Sequence, residues 1–108
     1  MSGKKYDSGK VRVGLVLKDF ADALYLVASV ATYGEEKYGS PSGWKEVDDA
    51  LNRYNDAKGR HMLEALIDPD SADPESGIIH MAHEAWNSLA TLQLHIEGKV
   101  NATQKTLD

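Results

Sequence analysis

The chain has 108 residues, which suffices for one domain with a modest hydrophobic core. Its net charge of −5 excludes a protein that binds nucleic-acid polymers chiefly by displacing counterions. The absence of cysteine excludes disulfides and thiolate chemistry, and no apolar run approaches the ~18 residues of a membrane span. We therefore expect a cytoplasmic protein with no membrane and no nucleic-acid polymer among its partners.

The N-terminal part of the chain predicts an arm, a short extended segment and a first helix. Residues 1–10 are polar and contain glycine and serine, which is typical of a flexible arm. Residues 11–17 are apolar and short, and we expect them to be extended or strand-like. Helical periodicity then begins at Asp19, a suitable N-cap, and continues to Tyr38, before a turn at residues 40–43.

Two further helices follow in the prediction. The second covers residues 44–67 and is separated from the third by residues 68–77, an acidic connector whose Asp, Pro and Gly content opposes regular structure. The third covers residues 78–97 and is expected to end at Gly98, a residue typical of the position after a helix C-terminus. The remaining ten residues are then a C-terminal tail, 99–108.

The fold class that follows is all-α, with one domain at residues 11–98. Its three main amphipathic helices form an incomplete bundle, because three broad apolar faces cannot all be covered within one chain. A second chain would cover the remaining apolar surface. We therefore predict a homo-oligomer, either a dimer or a tetramer, that completes the bundle.

The third predicted helix has the most informative pattern in the chain. Its polar residues recur at i, i+3, i+4, i+7 and i+11, which places them on one stripe of the helix. They are His80, His83, Glu84, Asn87 and Thr91. A solvated face usually includes Lys or Arg, and this stripe has neither. Imidazole, carboxylate and amide groups bind metals, protons or phosphates, so the stripe predicts a site wall. The alternatives are a solvated face and a polar seam between subunits.

A carboxylate pair, Glu35 and Glu36, lies at the end of the first predicted helix. On a helical wheel Glu35 falls at the edge of the apolar face and Glu36 falls on the solvent side. Mg²⁺ is commonly held by one or two carboxylates together with substrate phosphates. The pair therefore predicts either a metal site with Glu35 directed inward or a charged helix end.

His61 lies on the apolar side of the second predicted helix, next to Arg60. If this helix faces the polar stripe of the third, His61 meets His80 or His83, which favours a site. If it does not, His61 is a hydrogen-bonded core histidine, the more common role of a single histidine on an apolar face.

An ordered set of short motifs extends over most of the chain. It consists of Lys10 and Arg12, residues 31–39 (Ala-Thr-Tyr-Gly-Glu-Glu-Lys-Tyr-Gly), Trp44, residues 60–63 (Arg-His-Met-Leu), residues 73–77 (Asp-Pro-Glu-Ser-Gly) and residues 80–87 (His-Met-Ala-His-Glu-Ala-Trp-Asn). Taken together, these motifs resemble the N-terminal domain of the phage dATP/dGTP diphosphohydrolases. That family is related in activity to the MazG-like all-α nucleoside triphosphate pyrophosphatases.

The resemblance implies hydrolysis of a deoxyribonucleoside triphosphate to monophosphate and pyrophosphate, with Mg²⁺ or Mn²⁺, in the host cytoplasm if the gene belongs to a phage. One departure concerns the metal ligands. MazG-like enzymes have Glu-Glu-x-x-Glu on one helix and Glu-x-x-Asp on the next, whereas here Gly39 replaces the third Glu. The second pattern, Glu-x-x-Asp, is matched by Glu46 and Asp49, but these residues follow the first pattern too closely in the chain. Glu84 and Asn87, farther along, match it loosely.

The sequence therefore predicts a metal-dependent pyrophosphatase with assigned site residues. The metal ligands are Glu35, Glu36 and Glu84, which act in catalysis with His83, and the substrate-binding residues are Lys37, Arg60, His61, His80 and Asn87. A second interpretation is a non-catalytic phage module that binds a nucleotide or a host protein on the same scaffold. A third is a histidine-rich metal hydrolase that acts on another phosphate ester.

Overall fold

The computed structural model describes residues 8–107, and it describes side chains for residues 8–98. Its helices are α1 (Gly14–Asp19), α2 (Ala21–Tyr38), α3 (Ala50–Ile67) and α4 (His80–Leu107), with a 3-10 helix at Gly43–Glu46. The described residues contain no strand, apart from one isolated bridge between Ala72 and Ile79. The prediction of an all-α fold is confirmed. Among the described helices, none combines the length and apolar character that a bilayer span requires.

The first half of the chain differs from the prediction in two places. The segment at residues 11–17, predicted to be extended, is helical from Gly14 onward. The second predicted helix is interrupted, because Asp49 adopts a left-handed conformation (φ 53°) that aspartate tolerates better than most residues. Residues 1–7, most of the predicted flexible arm, lie outside the described residues.

Two glycines at predicted helix ends have different outcomes. Gly39 is left-handed (φ 79°) and its N–H donates to the Glu35 carbonyl at 2.9 Å, which ends α2 where the sequence predicts. Gly98 does not end α4, whose backbone stays helical to Leu107. Glycine inside a helix costs only about 1 kcal/mol, and no proline follows it. The predicted end of this helix at Gly98 is therefore wrong, while the division into a domain at residues 11–98 and a tail stays a prediction and Asp108 lies outside the described residues.

An aromatic cluster joins the 3-10 helix to α3 and α4. The rings of Trp44, Tyr54 and Trp86 meet edge to face, with centroids 5.3 to 5.9 Å apart. The Tyr54 hydroxyl also donates to the Trp44 carbonyl at 2.6 Å. Both tryptophans are partly buried, and Tyr54 and Trp86 also line the cleft described below.

Much apolar surface of α3 and α4 remains exposed in the single chain. The exposed large side chains of these two helices include Leu63, Leu66, Ile67, Leu89, Leu92 and Ile96. The radius of gyration, 17.4 Å, exceeds the ~13 Å typical of a domain of this length. Burial of apolar surface is favourable at roughly 25 cal/mol per Å². The homo-oligomer predicted from the sequence is therefore still the expected state.

We expect light scattering at micromolar concentration to give at least twice the mass of one chain. Leu92→Glu should lower that mass, because it places a charge on the exposed apolar stripe of α4. The matched control is Gln93→Glu, which adds the same charge at an adjacent exposed polar position. A stable wild-type monomer would contradict the prediction.

Candidate functional site

A cleft of about 650 Å³ opens where α2, α3, α4 and the connector before α4 meet. Its volume falls within the ~300–1,000 Å³ usual for small-molecule sites. The polar and charged residues that line it are Tyr33, Lys37, Tyr38, Asp48, Arg53, Tyr54, Arg60, His61, Asp73, Glu75, His83 and Asn87. The cleft therefore has a mixed lining of cations, carboxylates and imidazoles, together with Tyr54 and Trp86 of the aromatic cluster.

Three histidines from two helices meet beside this cleft. The Nδ1 atoms of His61 and His80 are 2.8 Å apart and share a hydrogen bond. The rings of His61 and His83 stack, with centroids 4.6 Å apart and an interplanar angle of 13°. His80 and His83, the two that belong to α4, are buried. The prediction that His61 meets the polar stripe of the third helix is confirmed, because α3 packs along α4 with His61 toward that stripe.

The acidic connector is an ordered loop that places a carboxylate beside the histidines. The Ser76 N–H donates to Asp73 Oδ2 at 3.0 Å, and the Gly77 N–H donates to the Asp73 carbonyl at 2.7 Å. Gly77 has a φ of 74°, which glycine adopts without strain. The Ser76 hydroxyl also lies 2.6 Å from His83 Nε2. The loop thus fixes the position of both Asp73 and the His83 ring.

His61, Asp73 and His80 form a group that can hold a metal ion. Each offers one ligand atom, and these atoms all lie within 4.8 Å of one another. Two imidazoles and one carboxylate suit Mn²⁺ and other first-row transition ions better than Mg²⁺, which prefers oxygen ligands. Three protein ligands also leave coordination positions for a substrate and water.

The environment keeps the imidazoles of His61 and His83 neutral near pH 7. Burial is the main factor that lowers the pKa of His61 to about 4, and the nearby His83 and His80 lower it further. Burial likewise lowers the pKa of His83, opposed by the Asp73 carboxylate and reinforced by His80 and Lys37. Neutral imidazole is the form that binds metals and accepts protons.

The pKa of Asp73 is set by effects that oppose burial. Burial by itself would raise the pKa of this carboxyl, but hydrogen bonds from Ser76 and the charges of His83 and His61 outweigh burial and lower the pKa below its usual value. Asp73 is therefore an ionised carboxylate at pH 7, ready to bind a cation.

The lowered pKa of His61 makes folding depend on pH. A histidine that titrates near 6.5 when unfolded and near 4 when folded stabilises the protein fully above about pH 6.5, and this stability is lost as the pH falls toward about 4. We expect the free energy of unfolding to fall by about 1–2 kcal/mol from pH 7.5 to pH 5. This figure already includes a reduction for the partial exposure of the ring. Urea unfolding at pH 7.5 and pH 5 measures it.

His61→Gln should remove part of this dependence, whereas His95→Gln, at an exposed position of α4, should keep it. An unchanged pH dependence in His61→Gln would refute the assignment.

The structure brings most of the predicted substrate-binding residues together. Lys37, Arg60, His61 and Asn87 line the cleft, and His80 is hydrogen-bonded to His61. His83, which the sequence assigns to catalysis, also lines the cleft. Sequence reasoning missed Asp73, Ser76 and Arg53. For Asp73 and Ser76 a signal was available, since Asp-x-x-Ser-Gly directly before a helix is typical of a side-chain-stabilised turn.

The predicted metal-binding glutamates lie elsewhere. Glu35 and Glu36 are exposed, Glu84 is half-buried, and none of the three lines the cleft. The positions of α2 that do line it are Val30, Tyr33, Gly34, Lys37 and Tyr38, the i, i+3, i+4 pattern of one helix face. Glu35 falls outside this face, one residue and 100° of helical rotation past Gly34, so the expectation that it points inward is wrong for the single chain. Its assignment as a metal ligand remains a prediction that only measurement of metal binding can test.

Asn87 lies at the inner wall of the cleft with one amide atom unsatisfied. It is 4% exposed, and its Nδ2 donates to the His83 carbonyl at 2.8 Å. Its Oδ1 is buried and accepts no hydrogen bond. An unpaired buried acceptor is unfavourable and calls for an explanation.

The fold and the cleft define a helical domain with a site of small-molecule size that combines histidines, a carboxylate and cations. The sequence model of the family "dATP/dGTP diphosphohydrolase, N-terminal" matches residues 1–104 of the chain. The chain belongs to this family, and the resemblance seen in its motifs is confirmed. Comparison with curated proteins and with solved structures gives no match.

Proposed function

We propose that this chain hydrolyses a purine deoxyribonucleoside triphosphate, dATP or dGTP, to the monophosphate and pyrophosphate with the help of a divalent metal ion. The observation that carries the proposal is the cleft, where cationic side chains lie beside neutral imidazoles and the Asp73 carboxylate. The family name supports the substrate class. Addition of water across the α–β phosphoanhydride bond gives the two products.

Cations of the cleft would bind the triphosphate. Lys37 and Arg60 both lie near the histidines, since the charge of Lys37 acts on His83 and that of Arg60 acts on His61. Fixed cations stabilise the charge that develops on phosphate oxygens during the reaction, and arginine can bind two of these oxygens at once. We therefore assign the phosphate end of the cleft to the side where these residues and the histidines meet.

The donor set of His61, Asp73 and His80 fits a divalent ion. We propose that these residues hold Mn²⁺, with Mg²⁺ as a weaker substitute because two of the ligands are nitrogen. When bound, the ion would neutralise charge on the triphosphate and activate water for attack. The ionised state of Asp73 and the neutral state of His61 favour cation binding at pH 7.

His83 is the base in this proposal. Its imidazole is neutral at pH 7, and its orientation is fixed by the Ser76 hydroxyl and by stacking on His61. It would accept the proton of the attacking water as the bond to the leaving pyrophosphate breaks, with the electron pair going to the pyrophosphate oxygen. General-base catalysis of this kind contributes about 10²- to 10⁴-fold.

The experiment is incubation with each of the four deoxyribonucleoside triphosphates and Mn²⁺, Mg²⁺ or EDTA, followed by chromatographic separation of the products. We expect monophosphate and pyrophosphate in equal amounts from dATP or dGTP, faster with Mn²⁺ than with Mg²⁺ and abolished by EDTA. Nucleotide binding without products would identify a binding module instead. Activity that survives EDTA, or returns only with Zn²⁺, would contradict the metal assignment.

A further inference from the structure

Residues 8–20, called the N-terminal segment below, are exposed at every position although many of them are apolar. The large apolar side chains are Val11, Val13, Leu15, Val16, Leu17 and Phe20. The helix in this segment, α1, has six residues and buries none of them. Isolated helices shorter than about 12–15 residues are marginal in water. A surface outside the described part of its own chain would therefore stabilise the segment by covering it.

Charge is divided unevenly along the sequence. Residues 1–18 contain five Lys or Arg and one Asp, whereas residues 61–98 contain seven Asp or Glu and no Lys or Arg. Lys10, Arg12 and Lys18 of the N-terminal segment are exposed, and none of them forms an ion pair within the part of the chain whose side chains are described. The cations of the segment can therefore pair with acidic groups on another surface.

The C-terminal end of α3 has the complementary character. Its exposed apolar side chains lie at positions i, i+3 and i+4, on one face of the helix. They are Leu63, Leu66 and Ile67. Exposed acidic residues are interspersed with them and follow them, namely Glu64, Asp68 and Asp70. The last turn of α3 contains no basic residue, although the C-terminus of a helix dipole favours cations. Residues 63–70, called the acidic end below, would therefore be stabilised by a partner that is both basic and apolar.

We propose that the N-terminal segment of one chain docks on the acidic end of a second copy of the chain. The apolar side chains of the two surfaces cover each other, and Lys10, Arg12 and Lys18 meet the acidic residues. A two-fold axis makes the contact reciprocal, so that each chain covers the acidic end of the other. Burial of the apolar side chains favours association, and the opposite charges fix its orientation. This interface is separate from the exposed apolar stripe of α4 and does not depend on the proposed function.

The test is cysteine cross-linking, because the chain has no cysteine of its own. Val11→Cys and Ile67→Cys are prepared as two separate full-length proteins, one of them with an affinity tag, then mixed and treated with a short bismaleimide. We expect cross-linked dimers that contain one chain of each kind. The matched control replaces Ile67→Cys by Asp56→Cys, at an exposed position three turns earlier on the same face of α3, and should give little mixed product.

Charge reversal in the same reaction tests the pairing. Lys10→Glu, Arg12→Glu and Lys18→Glu, combined in the Val11→Cys chain, should slow mixed cross-linking about tenfold or more, because like charges then face each other. Glu64→Lys with Asp70→Lys in the Ile67→Cys chain should restore it. In that mixture the acidic segment of the first chain meets a basic end on the second, and the unchanged segment of the second meets the unchanged end of the first.

Two features keep this comparison specific. Asp68 is left in place, because its Oδ1 accepts the Asp70 N–H at 3.0 Å in the turn after α3. The control for charge alone is Glu46→Lys with Asp56→Lys in the Ile67→Cys chain, which adds the same charge at exposed positions outside the acidic end. It should not restore cross-linking, and restoration by it would show that overall charge, not docking, drives the reaction. Circular dichroism of each variant checks the fold.

Absence of mixed cross-links between the Val11→Cys and Ile67→Cys chains would overturn the inference, as would equal cross-linking after charge reversal of the segment. A chain with both cysteines that is cross-linked within itself, as a monomer, would place the contact inside one molecule and also overturn it. Sedimentation of the wild-type protein with vesicles of phosphatidylcholine and phosphatidylglycerol, without mixed cross-links, would assign the N-terminal segment to an anionic membrane surface instead.

Discussion

Asp73→Asn should weaken binding of Mn²⁺ in the absence of nucleotide by more than about 100-fold, since loss of a direct ligand exceeds the 10- to 100-fold typical of residues behind the ligands. Turnover of dATP or dGTP should fall with it. The change keeps the size of the side chain but removes the charge that the ion requires. Electron paramagnetic resonance of free Mn²⁺ gives the affinity directly, and circular dichroism checks the fold.

The matched comparison uses two separate variants, Glu84→Gln and Glu35→Gln. Each removes a carboxylate that the sequence assigns to the metal. If His61, Asp73 and His80 hold the ion, these two variants should bind Mn²⁺ as the wild type does. Loss of Mn²⁺ binding in them, with normal binding in Asp73→Asn, would restore the sequence-based assignment and reject the one based on the structure.

His83→Ala should lower turnover by about 10²- to 10⁴-fold, because it removes the proposed base. Its effect on Mn²⁺ affinity should be small by comparison, since His83 is not in the ligand group. Steady-state kinetics with saturating Mn²⁺ measures the effect. The pH dependence of the residual activity should also lose its acidic limb, which a purely structural role for His83 would leave in place.

The control for His83→Ala is Thr91→Ala on the same polar stripe of α4. Within residues 8–98, the Thr91 hydroxyl donates only to the Ser88 carbonyl of its own helix, and Thr91 does not line the cleft. A change there should shift stability by less than about 0.5 kcal/mol and leave turnover unchanged. Normal turnover and normal nucleotide binding in folded His83→Ala would reject the site as described.

Local periodicity made the helices and the polar stripe of α4 predictable. The recurrence of His80, His83 and Asn87 on one face depends only on helical pitch, which the chain repeats wherever it is helical. The end of α2 was predictable for the same kind of reason, because a left-handed Gly39 is a local solution to unsatisfied carbonyls. The end of α4 was not, since Gly98 is compatible both with a helix end and with a helix interior.

The composition of the site depended on contacts between distant parts of the chain. The sequence by itself determined the all-α class, the polar stripe and the proximity of His61 to it once two amphipathic faces pack together. The tertiary structure decided which carboxylate joins the histidines. The face of α2 that meets the cleft does not include Glu35. The connector folds back on hydrogen bonds from Ser76 and Gly77 that place Asp73 beside His61. Helical periodicity specifies directions within one element, whereas the rotation of each helix against its neighbours and the path of a loop follow from the packing of the whole chain.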